Sequence, residues 1–254
     1  MNNFFISIVS HGHDDYIINN KNILDISKID NVTVLIKDNV KSDRLRNFCN
    51  NNNLHYLFSE NPIGFGENNN DLFDFCQSIA VTDKNWFLVI NPDVIIDLDN
   101  FERLISELNF QSGGIYTVNL YKDSDFSISE DSLRYFPSFD GVLNFALGKQ
   151  VTKPYKKDEL INLSGVEWAS GAFLVFDFDT YKVLEGFDKR YFMYYEDVDI
   201  CFRAKIKLNE NVKFLKDVKA VHSGAYRNRK LFSKHFFWYS LSMVKFMMLK
   251  KWKY

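Results

Sequence analysis

The chain has 254 residues, enough for one large α/β domain or two small ones. Its composition is 46% hydrophobic and 25% charged, which excludes a disordered or membrane-embedded chain and suits a soluble globular one. The net charge of −2 excludes the basic surplus that a nucleic-acid partner demands.

Phe4 to Ser10 is a short apolar run rich in β-formers, bounded by His11-Gly12-His13, and reads as a buried strand. Asp14 is a suitable N-cap for a helix to about Ile26. Val32 to Ile36 is a second strand, ending at Lys37-Asp38-Asn39. Residues 43 to 52 read as a helix and Leu54 to Phe58 as a third strand. Asn61 to Asn70 is a glycine-bearing loop that opens a helix. Trp86 to Ile90 is a fourth strand, followed by Asn91-Pro92-Asp93. This alternation implies a mostly parallel sheet with helices on both faces. Ligands of such sheets bind beyond the carboxyl ends of the strands, so Asp38, the Gly64/Gly66 loop and Asp93 should converge there.

The second half is less regular. Gly114 to Leu120 reads as a strand, and residues 121 to 165 carry no clear pattern. Val166 to Phe176 reads as a strand with a small-residue break at Ser170-Gly171-Ala172. A short helix over Phe178 to Leu184 ends before Gly186. A helix starting near Glu196 follows, then strand-like Val212 to Leu215 and Val218 to His222. The last helix spans roughly Asn228 to Lys250, with Phe232, Phe236, Tyr239, Met243 and Phe246 on one stripe and Phe237, Val244 and Met248 widening it. Lys230, Lys234 and Lys245, with Trp238 between them, suit a helix lying on an anionic membrane surface. No run of eighteen apolar residues spans a bilayer, and no signal peptide precedes the first strand. Cys49, Cys76 and Cys201 show neither metal nor disulfide spacing and read as reduced thiols of a cytoplasmic protein.

The chemistry concentrates in Phe192 to Arg203, where Glu196, Asp197 and Asp199 follow a bulky apolar and aromatic run. A helix N-terminus lets Glu196 and Asp197 stay ionised. A carboxylate there can take a proton from a substrate hydroxyl. Asp199 and Arg203 read instead as an i,i+4 ion pair. Asp93, after a buried strand, can hold a divalent cation that bridges to phosphates. Gly64 and Gly66 let the backbone approach a ligand at a helix N-terminus. Asp38 and Asn39 can hydrogen-bond a nucleobase or ribose. His222 ends a strand and, facing Asp93, can complete a metal site or contact a diphosphate.

Taken together, Asn61-x-x-Gly64-Phe65-Gly66-x-x-Asn69, Asn91-Pro92-Asp93, Arg134-Tyr135-Phe136-Pro137, Trp168-x-x-Gly171-Ala172, Gly186-Phe187-Asp188, Phe192 to Asp199 and His222 resemble glycosyltransferase family 2, closest to bacterial O-antigen-type rhamnosyltransferases. The resemblance implies a GT-A fold, a Rossmann-like, mostly parallel sheet flanked by helices, with a C-terminal amphipathic helix at 228–254. Residues 1–227 would form the transferase domain, its nucleotide-binding half about 1–97 and its acceptor half about 98–227. The family pattern implies Asp197 as general base supported by Glu196. Ser10, His11, Asp38, Asn39, Gly64, Gly66, Asn69, Asn91 and Asp93 would meet the donor. Trp168, Gly171, Ala172, Tyr194 and Tyr195 would meet the acceptor. Asp93 and His222 would hold Mg2+ or Mn2+. The implied reaction moves L-rhamnose from dTDP-β-L-rhamnose to a lipid-linked saccharide at the cytoplasmic face of the bacterial inner membrane.

Four positions depart from that pattern. Asn91 replaces the first aspartate of Asp-x-Asp, and His11-Gly12 stands where many members have Tyr-x-Asn. Phe176-Asp177 stands where an arginine is frequent, and the glycine usual after the acidic helix is missing at Leu208-Asn209-Glu210. A transferase for galactofuranose, glucose or N-acetylglucosamine shares the motifs, and a non-catalytic glycan-binding protein shares the fold. A dinucleotide-dependent oxidoreductase needs a glycine fingerprint after the first strand, which Ser10-His11-Gly12-His13 is not.

Overall fold

The structure, a computed structural model, describes residues 2–80, 84–146, 150–224 and 233–253. Its strands are β1 (Asn3–Ser10), β2 (Val32–Asp38), β3 (His55–Phe58), β4 (Asn85–Ile90), β5 (Val94–Ile95) and β6 (Ile115–Tyr121). They continue with β7 (Leu133–Arg134), β8 (Ser164–Val166), β9 (Trp168–Ala169), β10 (Phe173–Asp177) and β11 (Val212–His222). The helices are α1 (Asp14–Asn19), α2 (Lys21–Ile26), α3 (Asp43–Asn51), α4 (Phe65–Ile79) and α5 (Leu98–Asn109). After them come α6 (Phe139–Ala146), α7 (Phe178–Val183), α8 (Glu196–Leu208) and α9 (Lys234–Lys253).

The main sheet runs β3-β2-β1-β4-β10-β6-β11-β5, with β8 on the flank of β11. The β3-β2-β1-β4 part is parallel, as the alternation of strands and helices requires. β10 runs antiparallel between β4 and β6. Successive side chains of a strand face opposite sides. Phe4, Ile6 and Ile8 therefore enter one core with Ile17, Leu45 and Phe101. Phe5 and Val9 enter the other with Leu72, Phe73, Tyr181 and Ile200. A third cluster joins Tyr191, Tyr195, Val198 and Phe202 to Met243, Phe246 and Met247 of α9. The three cysteines are free and buried.

Two sequence boundaries change. The helix expected from Asp14 to Ile26 breaks at Asn20, whose side-chain amide donates to Val94 O at 3.2 Å. That bond ties the break to the strand beside Asp93, and His13 rather than Asp14 takes the cap position. The two strand-like runs near the end are one strand, β11, with a register shift between Leu215 and Lys219.

Register sets the site. Ser10 pairs with Asp38, so the ends of β1 and β2 lie level. His222 pairs with Val94, which brings it beside Asp93. Asn91 N–H donates to Ala172 O at 2.9 Å, joining the turn after β4 to the loop before β10.

α8 is anchored by its buried ion pair. Arg203 Nε donates to Asp199 Oδ2 at 2.7 Å, with Asp199 4% and Arg203 8% exposed. The guanidinium also donates to the carbonyls of Leu184 and Gly186. The Tyr191 hydroxyl lies 3.5 Å from Asp199 Oδ1, so every polar end of the pair has a partner, which is the condition for burying charge. Arg203→Ala leaves Asp199 unpaired and should cost about 3 to 5 kcal/mol, read as a lower urea midpoint.

Candidate active site

α8 begins from an unusual turn. Tyr194 and Tyr195 hold φ of 69° and 67°, the left-handed region that non-glycine residues rarely enter. Tyr195 is 4% exposed and packs on Tyr239 and Phe246 of α9. The Tyr194 hydroxyl lies 3.0 Å from His235 Nδ1, and Ser242 Oγ donates to Met193 O at 3.0 Å. The last helix therefore clamps the turn that aims the acidic residues.

Asp197 is only partly buried. Its Oδ2 accepts from Gly171 N–H at 3.0 Å and its Oδ1 from Val198 N–H at 2.8 Å. Burial raises its pKa, against the pull of both N–H groups. A carboxylate so placed is held still and made a stronger base than a solvated one. Glu196 is different. It is 7% exposed, and its Oε2 has no partner among the described residues. Burial first, and the Asp197 charge second, push its pKa well above the ordinary 4.5. The expectation that the helix terminus keeps both groups readily ionised is corrected here: at Glu196 desolvation outweighs the terminal N–H groups and favours the protonated form.

At the other wall, His222 lies between two carboxylates. Its Nε2 is 3.4 Å from Asp93 Oδ1, and its Nδ1 is 3.0 Å from both Glu130 oxygens. Burial alone would lower the His222 pKa, but Asp93 and Glu130 lift it to about 9. The expected approach of His222 to Asp93 is present. Glu130 is a residue that sequence reasoning missed, a single glutamate in a segment without periodicity. Ser10 is fully buried, and its Oγ accepts from His13 N–H at 3.1 Å. His11 is exposed, and His13 feels the Asp93 charge. Asn91 is partly exposed beside them.

Several donor-side residues are placed otherwise than expected. Asp38 is fully buried and already accepts from Val40 N–H, Ser42 N–H and the Tyr56 hydroxyl at 2.7 to 2.9 Å. It shapes the 39–42 loop through these bonds. Asn39 exchanges bonds with Ile63 O and Ile63 N–H. Asn69 is fully buried, bonded to Ser7 Oγ at 2.6 Å and Phe65 O at 2.9 Å. Each therefore binds the protein's own groups as well as lying on the side expected for the donor. The glycine loop behaves likewise. A Cβ on Gly64 would lie 2.8 Å from Phe192 O, and one on Gly66 would lie 2.6 Å from Phe187 Cβ. The glycines admit the 187–192 segment, so the close approach is chain to chain.

On the acceptor side, Gly171 and Ala172 are buried and serve through their backbone. Trp168 is partly buried, its Nε1–H donating to Tyr135 O at 2.9 Å. Tyr135 is 43% exposed and stacks on Tyr155 at 3.9 Å. Tyr194 keeps partial exposure, whereas buried Tyr195 offers no ring face for stacking.

No family model matches the chain. Rhamnosyltransferase WbbL of Escherichia coli (strain K12) is 31% identical over 252 residues, covering 97% of this chain and 93% of that protein. The chain belongs to the rhamnosyltransferase branch of the family 2 glycosyltransferases. The N-acetylglucosaminyl-diphospho-decaprenol L-rhamnosyltransferase of Mycobacterium tuberculosis (strain CDC 1551 / Oshkosh) is 31% identical over 123 residues, 46% of this chain and 40% of that one. Among solved structures, a mannosyltransferase from Pyrobaculum calidifontis in complex with GDP-Man and Mn2+ superposes with a TM-score of 0.57 at 15% identity. It covers 88% of this glycosyltransferase, which spans 57% of that chain, and the likeness shows a shared GT-A fold.

Glu196 gives the glycosyltransferase a pH signature. Its raised pKa means the folded state keeps a proton that the unfolded chain releases above about 4.5. The unfolded state then binds fewer protons, so this contribution to stability falls as pH rises from that value. Glu196→Gln should flatten the decline, seen as a smaller drop in Tm than the wild type shows between acidic and neutral pH.

Proposed function

We propose that this glycosyltransferase moves L-rhamnose, with inversion, from dTDP-β-L-rhamnose to a hydroxyl of a lipid-linked saccharide such as polyprenyl-pyrophosphoryl-N-acetylglucosamine. The observation that carries the reading is Asp197, a partly exposed carboxylate fixed by two N–H groups from different elements. Rhamnose is favoured by the full-length likeness to WbbL, and the acceptor class by the printed name of the mycobacterial relative.

Asp197 accepts the acceptor hydroxyl's proton as that oxygen attacks the anomeric carbon from the face opposite the leaving diphosphate. One displacement turns a β-L-rhamnosyl donor into an α-L-rhamnoside. Trp168 and Tyr194 are the aromatic residues set to flank acceptor rings. Gly171 orients the base through its N–H.

Among the described residues no group of three His, Cys, Asp or Glu side chains forms a ready-made metal cage. The donor set nonetheless fits Mg2+ or Mn2+. Asp93 and His222 put a carboxylate oxygen and an imidazole nitrogen 3.4 Å apart, and ions that also take substrate phosphates need only one or two protein carboxylates. When bound there, the ion supplies charge neutralisation of the departing diphosphate.

The experiment is nucleoside diphosphate release from a panel of nucleotide sugars, with magnesium and a short lipid-pyrophosphoryl-N-acetylglucosamine acceptor. Acceptor-dependent release from dTDP-rhamnose alone is expected. Asp197→Asn should lower turnover by about 100-fold or more and leave donor affinity unchanged. Wild-type turnover in that variant overturns the base, and release from another donor replaces the sugar.

The acceptor reading brings in α9. Among the described residues no helix is long and apolar enough to cross a membrane. The expected apolar stripe divides instead into two faces. Met243, Phe246 and Met247 are buried against the domain, and Phe237, Leu241, Val244 and Met248 point outward at 61%, 51%, 45% and 60% exposure. Their spacing of four, three and four residues puts them on one side of the helix. After Asp217 the chain carries nine lysines and arginines and no acidic side chain. Lys245 and Lys250 are tied to Arg190 O and Pro137 O, while Lys234 stands over Trp238 at 4.7 Å. Lys230 and Phe232 lie outside the described residues. An outward apolar row with basic residues around it suits the surface of an anionic bilayer, at the cytoplasmic face of the inner membrane. Phe237→Ser with Leu241→Ser should weaken sedimentation with anionic vesicles at low salt by about tenfold or more without moving Tm. Failure of the wild type to sediment sinks the membrane reading.

A further inference from the structure

The cluster around His222 contains one carboxylate more than the proposed cation site uses. Glu130 lies at the other ring nitrogen, not on the Asp93 side. Its side chain is 7% exposed, and both oxygens are 3.0 Å from Nδ1. The residue is fixed from its backbone. Glu130 N–H donates to Leu120 O at 3.1 Å, and Ser132 N–H donates to Glu130 O at 2.8 Å. Lys157 Nζ donates to the same Leu120 carbonyl at 2.9 Å from a buried position. An isolated bridge between Tyr121 and Ser129 holds the segment to β6, and β6 holds β11 in parallel register up to Val221. The turn before β5, the bridged segment beside β6 and the end of β11 thus bring Asp93, Glu130 and His222 together.

An ionised carboxylate only accepts, so Nδ1 must carry the hydrogen that faces Glu130. Where an ion takes the place of the Nε2 proton, an imidazole with Nδ1 protonated offers its lone pair at Nε2, the atom that faces Asp93. Metal-ligating histidines characteristically donate their second ring N–H to a carboxylate, which fixes the tautomer and ring angle and raises ligand basicity. We infer that Glu130 is the positioning residue of the cation site: it locks His222 in the Nδ1–H form and turns Nε2 toward the ion shared with Asp93. This rests on the proposed assignment of that ion to Asp93 and His222. It adds a residue that touches neither donor nor ion and acts only through His222.

The test is Mn2+ binding by the full chain in the presence of dTDP, without acceptor. It is followed by the electron paramagnetic resonance signal of free Mn2+ and by Mn2+ broadening of the His222 ring resonances. Glu130→Leu should weaken Mn2+ binding by about 10- to 100-fold and reduce the broadening at His222. Glu130→Gln keeps the size and an acceptor oxygen but not the charge, so it should fold and lose less affinity than the leucine variant. Asp93→Asn is the control. If Asp93→Asn weakens Mn2+ binding while both Glu130 variants match the wild type, Glu130 is a plain structural partner and the inference fails alone. If Asp93→Asn also binds as the wild type does, the cation assignment fails and the inference falls with it. Should the leucine variant not fold, the glutamine variant decides: unchanged affinity and unchanged His222 broadening overturn the proposal.

Discussion

The structure depends on two residues held in a conformation they do not favour. Tyr194 and Tyr195 are consecutive, bulky and left-handed. Each such residue costs on the order of 1 to 3 kcal/mol, and the cost is offset only where surrounding packing fixes the turn. Here the packing is aromatic. Tyr195 sits under Tyr239 and Phe246, and Tyr194 meets Tyr239 and His235. The turn then starts α8 so abruptly that Glu196 goes into the interior and Asp197 comes out against Gly171. One step along the helix, about 100° of rotation, separates the buried Glu196 carboxyl from the partly exposed Asp197 carboxyl. Asp199 and Arg203 hold the same helix from behind, and their bonds to Leu184 and Gly186 fix its depth.

A second constraint comes from side-chain amides. Asn68, Asn69 and Asn70 are successive residues of α4, so they point in three directions. Asn68 closes the glycine loop through Ile63 O and Gly64 O. Asn69 meets β1 through Ser7. Asn70 receives the Tyr181 hydroxyl and Phe187 N–H, and donates to Phe187 O. Three polar residues in a helix buried on most sides would be costly without partners, and these partners join the donor-side loop, the sheet and the lead-in to α8. Gly64 and Gly66 serve the same closure by letting the 187–192 segment lie on the helix start. The loop owes its composition to its own packing as much as to any ligand.

These two constraints explain what was legible in the sequence. Local pattern carried the strands and most helix boundaries, because the apolar run of Phe4 to Ser10 and the apolar spacing of α8 follow from single elements. The Asp199–Arg203 pair was legible for the same reason, being four residues apart on one helix. The position of Asp197 at a helix start, and of Asp93 and His222 at strand ends, could also be read along the chain. What could not be read is partnership across the fold. Asp38, Asn39 and Asn69 have the residue types of ligand contacts, yet part of what they bind, Tyr56, Ile63 and Ser7, comes from other parts of the chain. Tyr195 looks like a sugar platform until α9 covers it. Glu130 lies in a segment with no periodic signal, and only the register of β6, β11 and β5 brings it to His222.

α9 shows how one helix can serve both sides of this argument. Its inner residues hold the strained turn ahead of Asp197, and its outer residues form an apolar row that the domain does not cover. Under the proposed function the acceptor is confined to a membrane plane. A base carried on a separate mobile element would have to find that plane for every turnover. Here the helix that would meet the lipid is the helix that packs on Tyr194 and Tyr195, so the depth of the surface and the aim of Asp197 are set by the same rigid contact. Reactant orientation of this kind can remove several kcal/mol from a bimolecular barrier. It also gives a physical reason for the division of α9 into two apolar faces. A helix needed only for packing would carry charges on its solvent side, as the exposed faces of soluble domains do, and Phe237, Leu241, Val244 and Met248 carry none.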